Sequence, residues 1–491
     1  SLSLSLCHMV QLPSSKRGLT HPLKQFCKNL AYFLGRPRPG LAALATLLLF
    51  LLVLATTFAA WHKPSAFWAS LPGAADPGAI LPCLFPGRNT RRLVPSLPKN
   101  LADLAAEDPV GLLDEDDDGR REQASCDLFE GEWVVAGAGE EEEAPGPAYR
   151  PGSCPFVDEA FDCAGNGRPD SGYATLRWKP RGCNLPRLDG KGMLEMLRGK
   201  RLVFVGDSLN RNMWQSLVCI LRESVPEKNR VFEISGRREF RTEGFYAIKY
   251  EDFNCTIEFV RAPFLVQEWE TSDADGSRRQ TLRLDMMDDF SAKYQDADIV
   301  VFNTAHWWTH PRTSQGKDFY QEGEHVYSQL SAEDAYRKAL GTWAKWLDAN
   351  INPDRTLVFF RGYSSSHYRG GQWNSGGNCH GETLPIADAA HLGKYPKMMS
   401  IFESVVAEMA TPVHYLNITK MTSYRKDGHP SRWLRPGKAA QPDATQDCSH
   451  WCLPGVPDAW NELLYAMLLV RDDPSWSSNK SLGGQHVAAR T

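Results

Sequence analysis

From about residue 126 the chain alternates short, continuously apolar runs with longer segments whose apolar residues recur at helical spacing. RLVFV (201–205), IVVF (299–302), LVFF (357–360) and VHYL (413–416) are too short for helices and read as buried strands. Between and after them, four sets of residues each mark one helical face. The first is Met213, Trp214, Leu217, Val218 and Leu221, and the second is Tyr336, Leu340, Trp343 and Leu347. The third is Met398, Phe402, Val405 and Met409, and the last is Trp460, Leu463, Leu464 and Met467. Ser331 with Asp334 resembles a capping box at the start of the second helix. Strands alternating with helices predict one α/β domain with a mostly parallel sheet, over about residues 126–475.

The pattern upstream is different. Residues 41–61 (LAALATLLLFLLVLATTFAAW) carry no charge and match the thickness of a bilayer core. The 1–40 segment before them holds Lys16, Arg17, Lys24, Lys28, Arg36 and Arg38 with no acidic residue, and Met9 reads as the start of translation. Positive charge stays cytoplasmic, so the expectation is a single-pass type II anchor with everything after Trp61 in a lumen. The competing reading is a cleaved signal peptide, whose apolar core is usually shorter and nearer the start. Residues 62–125 lack a sustained period and read as a flexible stem, and 476–491 as a tail. The run Asp114–Asp118 with Gly119 imitates a calcium loop but places Ser125 where such a loop needs Glu, so it reads as a solvated spacer. AGAGEEEEAPGPAY (136–149) reads as a flexible insertion.

With 42% hydrophobic and 23% charged residues and a net charge of -4, the composition gives no electrostatic reason to expect a nucleic-acid partner. Ten of the 12 cysteines follow the apolar span, a number that suggests disulfides in an oxidising compartment. N-x-Ser/Thr sequons at Asn254, Asn417 and Asn479 point to the same side of the membrane. Fifteen tryptophans supply flat rings suited either to sugar faces or to a core.

The sharpest candidate for chemistry is VFVGDSLNRN (203–212), where a strand ends in Gly206-Asp207-Ser208 and a helix begins. Ser208 is either a nucleophile at the carboxyl end of a parallel strand, its N–H able to serve an oxyanion, or simply the helix N-cap. Near the other end of the chain lies Asp447-Cys-Ser-His450, where Asp can hold one imidazole nitrogen while the other faces outward. Arg211, one turn beyond Ser208, faces either a cleft or solvent. His306, Trp307 and Trp308 are either a sugar platform or packing. Cys379-His380 and Cys448-Ser-His450-Trp-Cys452 have metal-ligand spacing, yet the compartment favours disulfides, and the expectation is no metal.

GDS after a strand with a distal Asp-x-x-His is the pattern of the GDSL/SGNH hydrolases. Longer stretches resemble, more closely, the trichome birefringence-like family of plants. They are CDLFEGEWV (126–134), DCAGNGRPDSGYATLRWKPRGCNLPR (162–187), VFVGDSLNRNMW (203–214), VFNTAHWW (301–308), YQEGEHVY (320–327), VFFRGYSSSHYRGGQWNSGG (358–377) and DCSHWCLPGVPDAWNELLY (447–465). The resemblance is nearest the branch of the founding member, tied to pectin esterification and cellulose deposition. It implies an SGNH-like fold and a Golgi membrane protein that O-acetylates wall polysaccharide, xylan first and pectin next. It implies the triad Ser208, His450 and Asp447, and an oxyanion site shared by Ser208 and Asn303. It also implies the disulfides Cys126–Cys183, Cys154–Cys219, Cys163–Cys452 and Cys379–Cys448, leaving Cys255 without an evident partner. No bound cofactor is expected; the partners are an acetyl donor, which the sequence does not identify, and a polysaccharide acceptor. An acetyl esterase with the same triad and a non-enzymatic wall-polysaccharide bridging protein are the alternative functions.

Overall fold

A computed structural model describes residues 126–135, 146–236, 244–272, 277–437 and 445–472. The basic tail, the apolar span 41–61, the stem with its acidic run, Asn479 and the C-terminal tail lie outside the described residues. Among those described, no helix is long and apolar enough to cross a membrane.

The strands are β1 (Asp127–Val135), β2 (Leu176–Arg181), β3 (Arg201–Gly206), β4 (Val231–Glu233), β5 (Phe245–Tyr250), β6 (Cys255–Arg261), β7 (Val266–Ser272), β8 (Arg278–Met287), β9 (Ile299–Phe302), β10 (Tyr320–Glu322), β11 (His325–Val326), β12 (Leu357–Arg361) and β13 (Val413–Leu416). The longer helices are α1 (Gly190–Met196), α2 (Ser208–Glu223), α3 (Ala332–Asn350), α4 (Lys397–Val406) and α5 (Val456–Asp472). The main sheet has the order β13-β12-β9-β3-β6-β5-β4. Its first five strands are mutually parallel, and β5 and β4 extend it antiparallel at one edge. The sheet is therefore mostly parallel, as the alternation of elements predicts.

All four apolar runs are strands of this sheet, and both of their faces are covered. Leu202 and Phe204 pack on one side with Met213, Trp214 and Leu217 of α2 and Trp460, Leu463 and Leu464 of α5. Val203, Val205, Val300 and Phe360 pack on the other with Tyr336, Leu340 and Trp343 of α3 and Phe402 of α4. At the start of α3 the Ser331 hydroxyl accepts the Asp334 N–H, while the Asp334 carboxylate bonds the same hydroxyl, so only half of a capping box forms.

The pattern does not announce two accessory sheets. β1 and β2 form an antiparallel pair, and β7, β8, β10 and β11 form a four-stranded sheet ordered β11-β10-β8-β7. Their sequences mix charge with apolar residues because much of their surface faces water.

The register places the ends of β3, β9 and β12 side by side, with Val205 opposite Phe302 and Phe302 opposite Phe360. The turns that follow these strands converge on one edge of the sheet. The helices α2 and α5 are joined by Asp458, which accepts the Ser216 hydroxyl at 2.5 Å and the Gly455 N–H at 3.0 Å. Desolvation there pushes its carboxyl up to about 7. In the unfolded chain it ionises near 3.8, so the stability it contributes is full below that pH and is lost as pH rises towards 7. Denaturation of wild type and Asp458→Asn followed from pH 4 to 8 should therefore show the wild type's relative advantage shrinking as pH rises. A difference independent of pH would contradict the assignment.

Candidate active site

Gly206 ends β3 with φ 151°, and a Cβ there would meet the Asn303 side-chain oxygen at 1.9 Å. Only glycine lets the turn after β9 close against the end of β3. The next residue, Asp207, caps α2, its carboxylate accepting the Leu209 N–H at 2.9 Å. The capping role therefore belongs to Asp207. Ser208 is the first residue of α2, and its hydroxyl is left for other work.

That hydroxyl lies 2.7 Å from His450 Nε2, and His450 Nδ1 lies 2.7 Å from Asp447 Oδ2. The other Asp447 oxygen accepts the Ser449 and His450 N–H groups, each at 3.0 Å. Burial works against the Asp447 charge, but His450 and these two N–H groups outweigh it and hold the carboxyl well below the usual range. A carboxylate at this position requires the proton on Nδ1, so Nε2 presents a lone pair to the Ser208 O–H. The three side chains thus form one connected relay across 242 residues of sequence.

The loop carrying His450 is fastened on every side. Cys163–Cys452 and Cys379–Cys448 are bonded, as are Cys126–Cys183 and Cys154–Cys219, giving the four implied pairs. The sulfurs with metal-like spacing are consumed in these bonds. Cys255 is a buried thiol pushed up to about 11 by burial. The Asn212 amide clasps the backbone of Trp451, accepting its N–H at 2.8 Å and donating to its carbonyl at 3.1 Å. Asp447 exchanges two backbone hydrogen bonds with Ser431.

Asn303, His306, Arg211, Trp307 and Trp308 each meet partners within the protein. Asn303 turns its amide to Asp207: its Nδ2 donates to Oδ1 at 2.8 Å and its own oxygen accepts the Asp207 N–H at 3.0 Å. The residue is fully buried and both ends of its amide meet Asp207, so it acts as scaffold in this geometry, with the second Nδ2 hydrogen left over from these bonds. His306 also faces Asp207, at 3.0 Å through Nδ1, and stacks on Tyr363 with centroids 4.3 Å apart. Arg211 is engaged with Asp158 at 3.0 Å, its guanidinium 5.3 Å from the centre of Phe161, whose ring lies 5.1 Å from that of His450. Trp308 is core. Trp307 is half-buried and stacks on His310 at 5.0 Å, and His310 packs at 4.9 Å against Trp373, which is 47% exposed.

Sequence reasoning does not single out the supporting contacts of Asp207 and Asn212 or the aromatic row through His310 and Trp373. Asn210, Asn212, Gln215 and Ser216, polar side chains on the buried side of α2, are the available signal for the Asn212 clasp. Of the sequons, Asn254 is exposed and Asn417 half-buried.

Comparison with known proteins follows the same residues. Positions 185–467 match the GDSL/SGNH-like acyl-esterase family found in Pmr5 and Cas1p, and 124–184 match the PMR5 N-terminal domain. The chain is 57% identical to Arabidopsis thaliana protein trichome birefringence-like 4 over 71% of its own length and 76% of that protein. It is 55% identical to protein trichome birefringence and to trichome birefringence-like 1, over 71% of this chain. The chain belongs to the trichome birefringence-like family. It spans 57% and 62% of the last two relatives. The matched family model is described as one of acyl esterases, and the relay described above lies within its matched residues.

The scaffold role of Asn303 has a direct check. Asn303→Ala leaves the buried Asp207 charge one donor short, so denaturant unfolding should show a loss of about 1–3 kcal/mol. Unchanged stability with a roughly 10²–10³-fold lower kcat would restore the oxyanion role.

Proposed function

We propose that this protein is an O-acetyltransferase that acetylates plant cell-wall polysaccharide, xylan first and pectin next, through an acetyl-Ser208 intermediate. The observation that carries this reading is the unbroken relay Ser208–His450–Asp447. His450 Nε2 takes the Ser208 proton as Oγ attacks the acetyl carbonyl carbon, and then returns that proton to the departing donor group. A sugar hydroxyl next loses its proton to Nε2 while its oxygen attacks the acetyl ester, and Ser208 Oγ leaves and is reprotonated. Asp447 holds the ring in the tautomer that both steps require and stabilises the imidazolium between them. The negative charge that develops on the carbonyl oxygen meets the first turn of α2, where the Ser208 N–H and the positive end of the helix lie.

An acceptor surface is supported by the row Trp307–His310–Trp373, which starts one residue from the His306 that binds Asp207. Its exposed end offers an indole face to a pyranose ring. Disulfides clamping the catalytic loop suit an oxidising lumen. The reading therefore includes a Golgi location, with a cytoplasmic tail over 1–40, a membrane anchor over 41–61, a stem over 62–125 and a lumenal domain that carries glycans at Asn254, Asn417 or Asn479.

The test is acetyl loading and discharge. Wild type incubated with an acetyl donor should gain an acetyl group on the Ser208 peptide, and an added oligosaccharide should remove it as acetylated sugar, read by mass. Ser208→Ala and His450→Ala should each lose on the order of 10⁴-fold or more, and Asp447→Asn somewhat less. Discharge to water regardless of acceptor would make the protein an esterase, failure to load at all a binding protein, and unimpaired transfer by Ser208→Ala would end the serine mechanism.

Trp373 can be tested separately. Trp373→Ala should raise KM for a xylan oligosaccharide about 10-fold, in line with the roughly 1–1.5 kcal/mol of an aromatic stacking contact, while donor loading of Ser208 stays unchanged. Equal KM values would remove Trp373 from the acceptor site.

A further inference from the structure

Behind the catalytic base stands a second pair of histidines that the mechanism does not use. His429 is 2% exposed and stacks on Trp451 with centroids 4.2 Å apart. Its Nδ1 lies 2.7 Å from the backbone carbonyl of His450, and its Nε2 lies 2.7 Å from His367 Nδ1. The far nitrogen of His367, Nε2, lies 3.0 Å from the Ser423 carbonyl, and the His367 backbone N–H donates to the Cys448 carbonyl at 3.0 Å.

Counting protons along this chain leads to a definite state. A carbonyl oxygen only accepts, so His429 Nδ1 and His367 Nε2 must both carry hydrogen. Two neutral imidazoles have then spent their only N–H groups, and two bare lone pairs would face each other at 2.7 Å. The middle contact exists as a hydrogen bond only if one further proton sits between the rings. We propose that His429 and His367 are positioning residues for the catalytic base, holding one shared proton that locks the His450 carbonyl through His429. This proposal rests on the reading of Ser208 and His450 as nucleophile and base.

The surroundings put the proton within reach of titration. Burial draws both rings towards the neutral form. The carboxylates of Asp427 and Glu382 facing His367, and of Asp447 facing His429, favour the charged form, whereas Lys426 and His450 oppose it. As pH rises through the titration of the pair, the shared proton leaves. Two N–H groups then remain for three contacts, and one link of the chain to His450 is lost. Activity should therefore show an alkaline limb that belongs to this pair. In His367→Gln the side-chain amide can donate to both His429 Nε2 and the Ser423 carbonyl, so the chain stays complete without charge and without titrating.

The experiment uses the full chain with p-nitrophenyl acetate as acetyl donor, following the burst of p-nitrophenolate as Ser208 is acetylated. His429→Ala should lower the acetylation rate constant on the order of 10²-fold, the scale for a misplaced catalytic group, at an unchanged concentration dependence on the ester. His367→Gln should keep the wild-type rate near neutrality and lose the alkaline limb. Ser208→Ala, run alongside, separates the two ideas: a burst that survives in Ser208→Ala overturns the serine mechanism itself. With that control inactive, a wild-type rate in His429→Ala overturns the positioning role, and the same alkaline limb in His367→Gln overturns the shared proton.

Discussion

A single carboxylate, buried to 1% exposure under Ser208, ties together the edge of the sheet that carries the relay. Asp207 follows β3; it caps α2, receives the Asn303 amide from the turn after β9, faces His306 from the same turn, and lies 3.8 Å from Arg361 at the end of β12. Burial raises the cost of its charge, while His306, Arg361 and Asn303 lower it enough to keep the carboxyl ionised well below its usual range. An ion taken out of water is tolerable only with its partners in place, so the three strand ends cannot separate without exposing it. The backbone accommodates this arrangement: Gly206 gives up a Cβ to admit Asn303, and buried Ala305 takes φ 103° to swing His306 inward. Ser208 is placed by this assembly while contributing little to it.

His450 is held by different means. Its loop, 447–452, lacks a regular element of its own and borrows rigidity from two disulfides, from the Asn212 amide and from the short bridge between Ser431 and Asp447. Fixing Ser208 by a buried charge and the His450 loop by covalent bonds lets a relay with two 2.7 Å contacts form between segments that share no local structure. A relay preset in this way needs little rearrangement when an acyl group arrives.

What was legible in the sequence follows from the same division. Short unbroken apolar runs and helices with one apolar face announce themselves by period alone, so β3, β9, β12, β13 and four helices were readable, whereas the buried β5 and β6, whose runs include Lys249 and Glu258, were not. β1, β2 and β7–β11 were not all so, because half-exposed strands mix charge with apolar residues and carry no clean alternation; within that range β9 is the exception, being fully buried. Ser208, Asp447 and His450 were readable because their chemistry demands particular residue types at a particular spacing. The roles of Asn303, His306 and Arg211 were not, since each depends on which carboxylate it meets in space: Asp207 for the first two and Asp158 for the third. Polar residues beside a nucleophile look alike in one dimension whether they face substrate or support the floor beneath it.

The Cys163–Cys452 bond, spanning 289 residues, makes most of the domain a closed loop of covalent structure. A protease that severs one surface turn inside that loop produces two polypeptides but still one molecule. When the break falls between Ser208 and His450, the two stay tethered to each other from opposite sides of it. Such a domain can accumulate a nick without shedding either half of the relay.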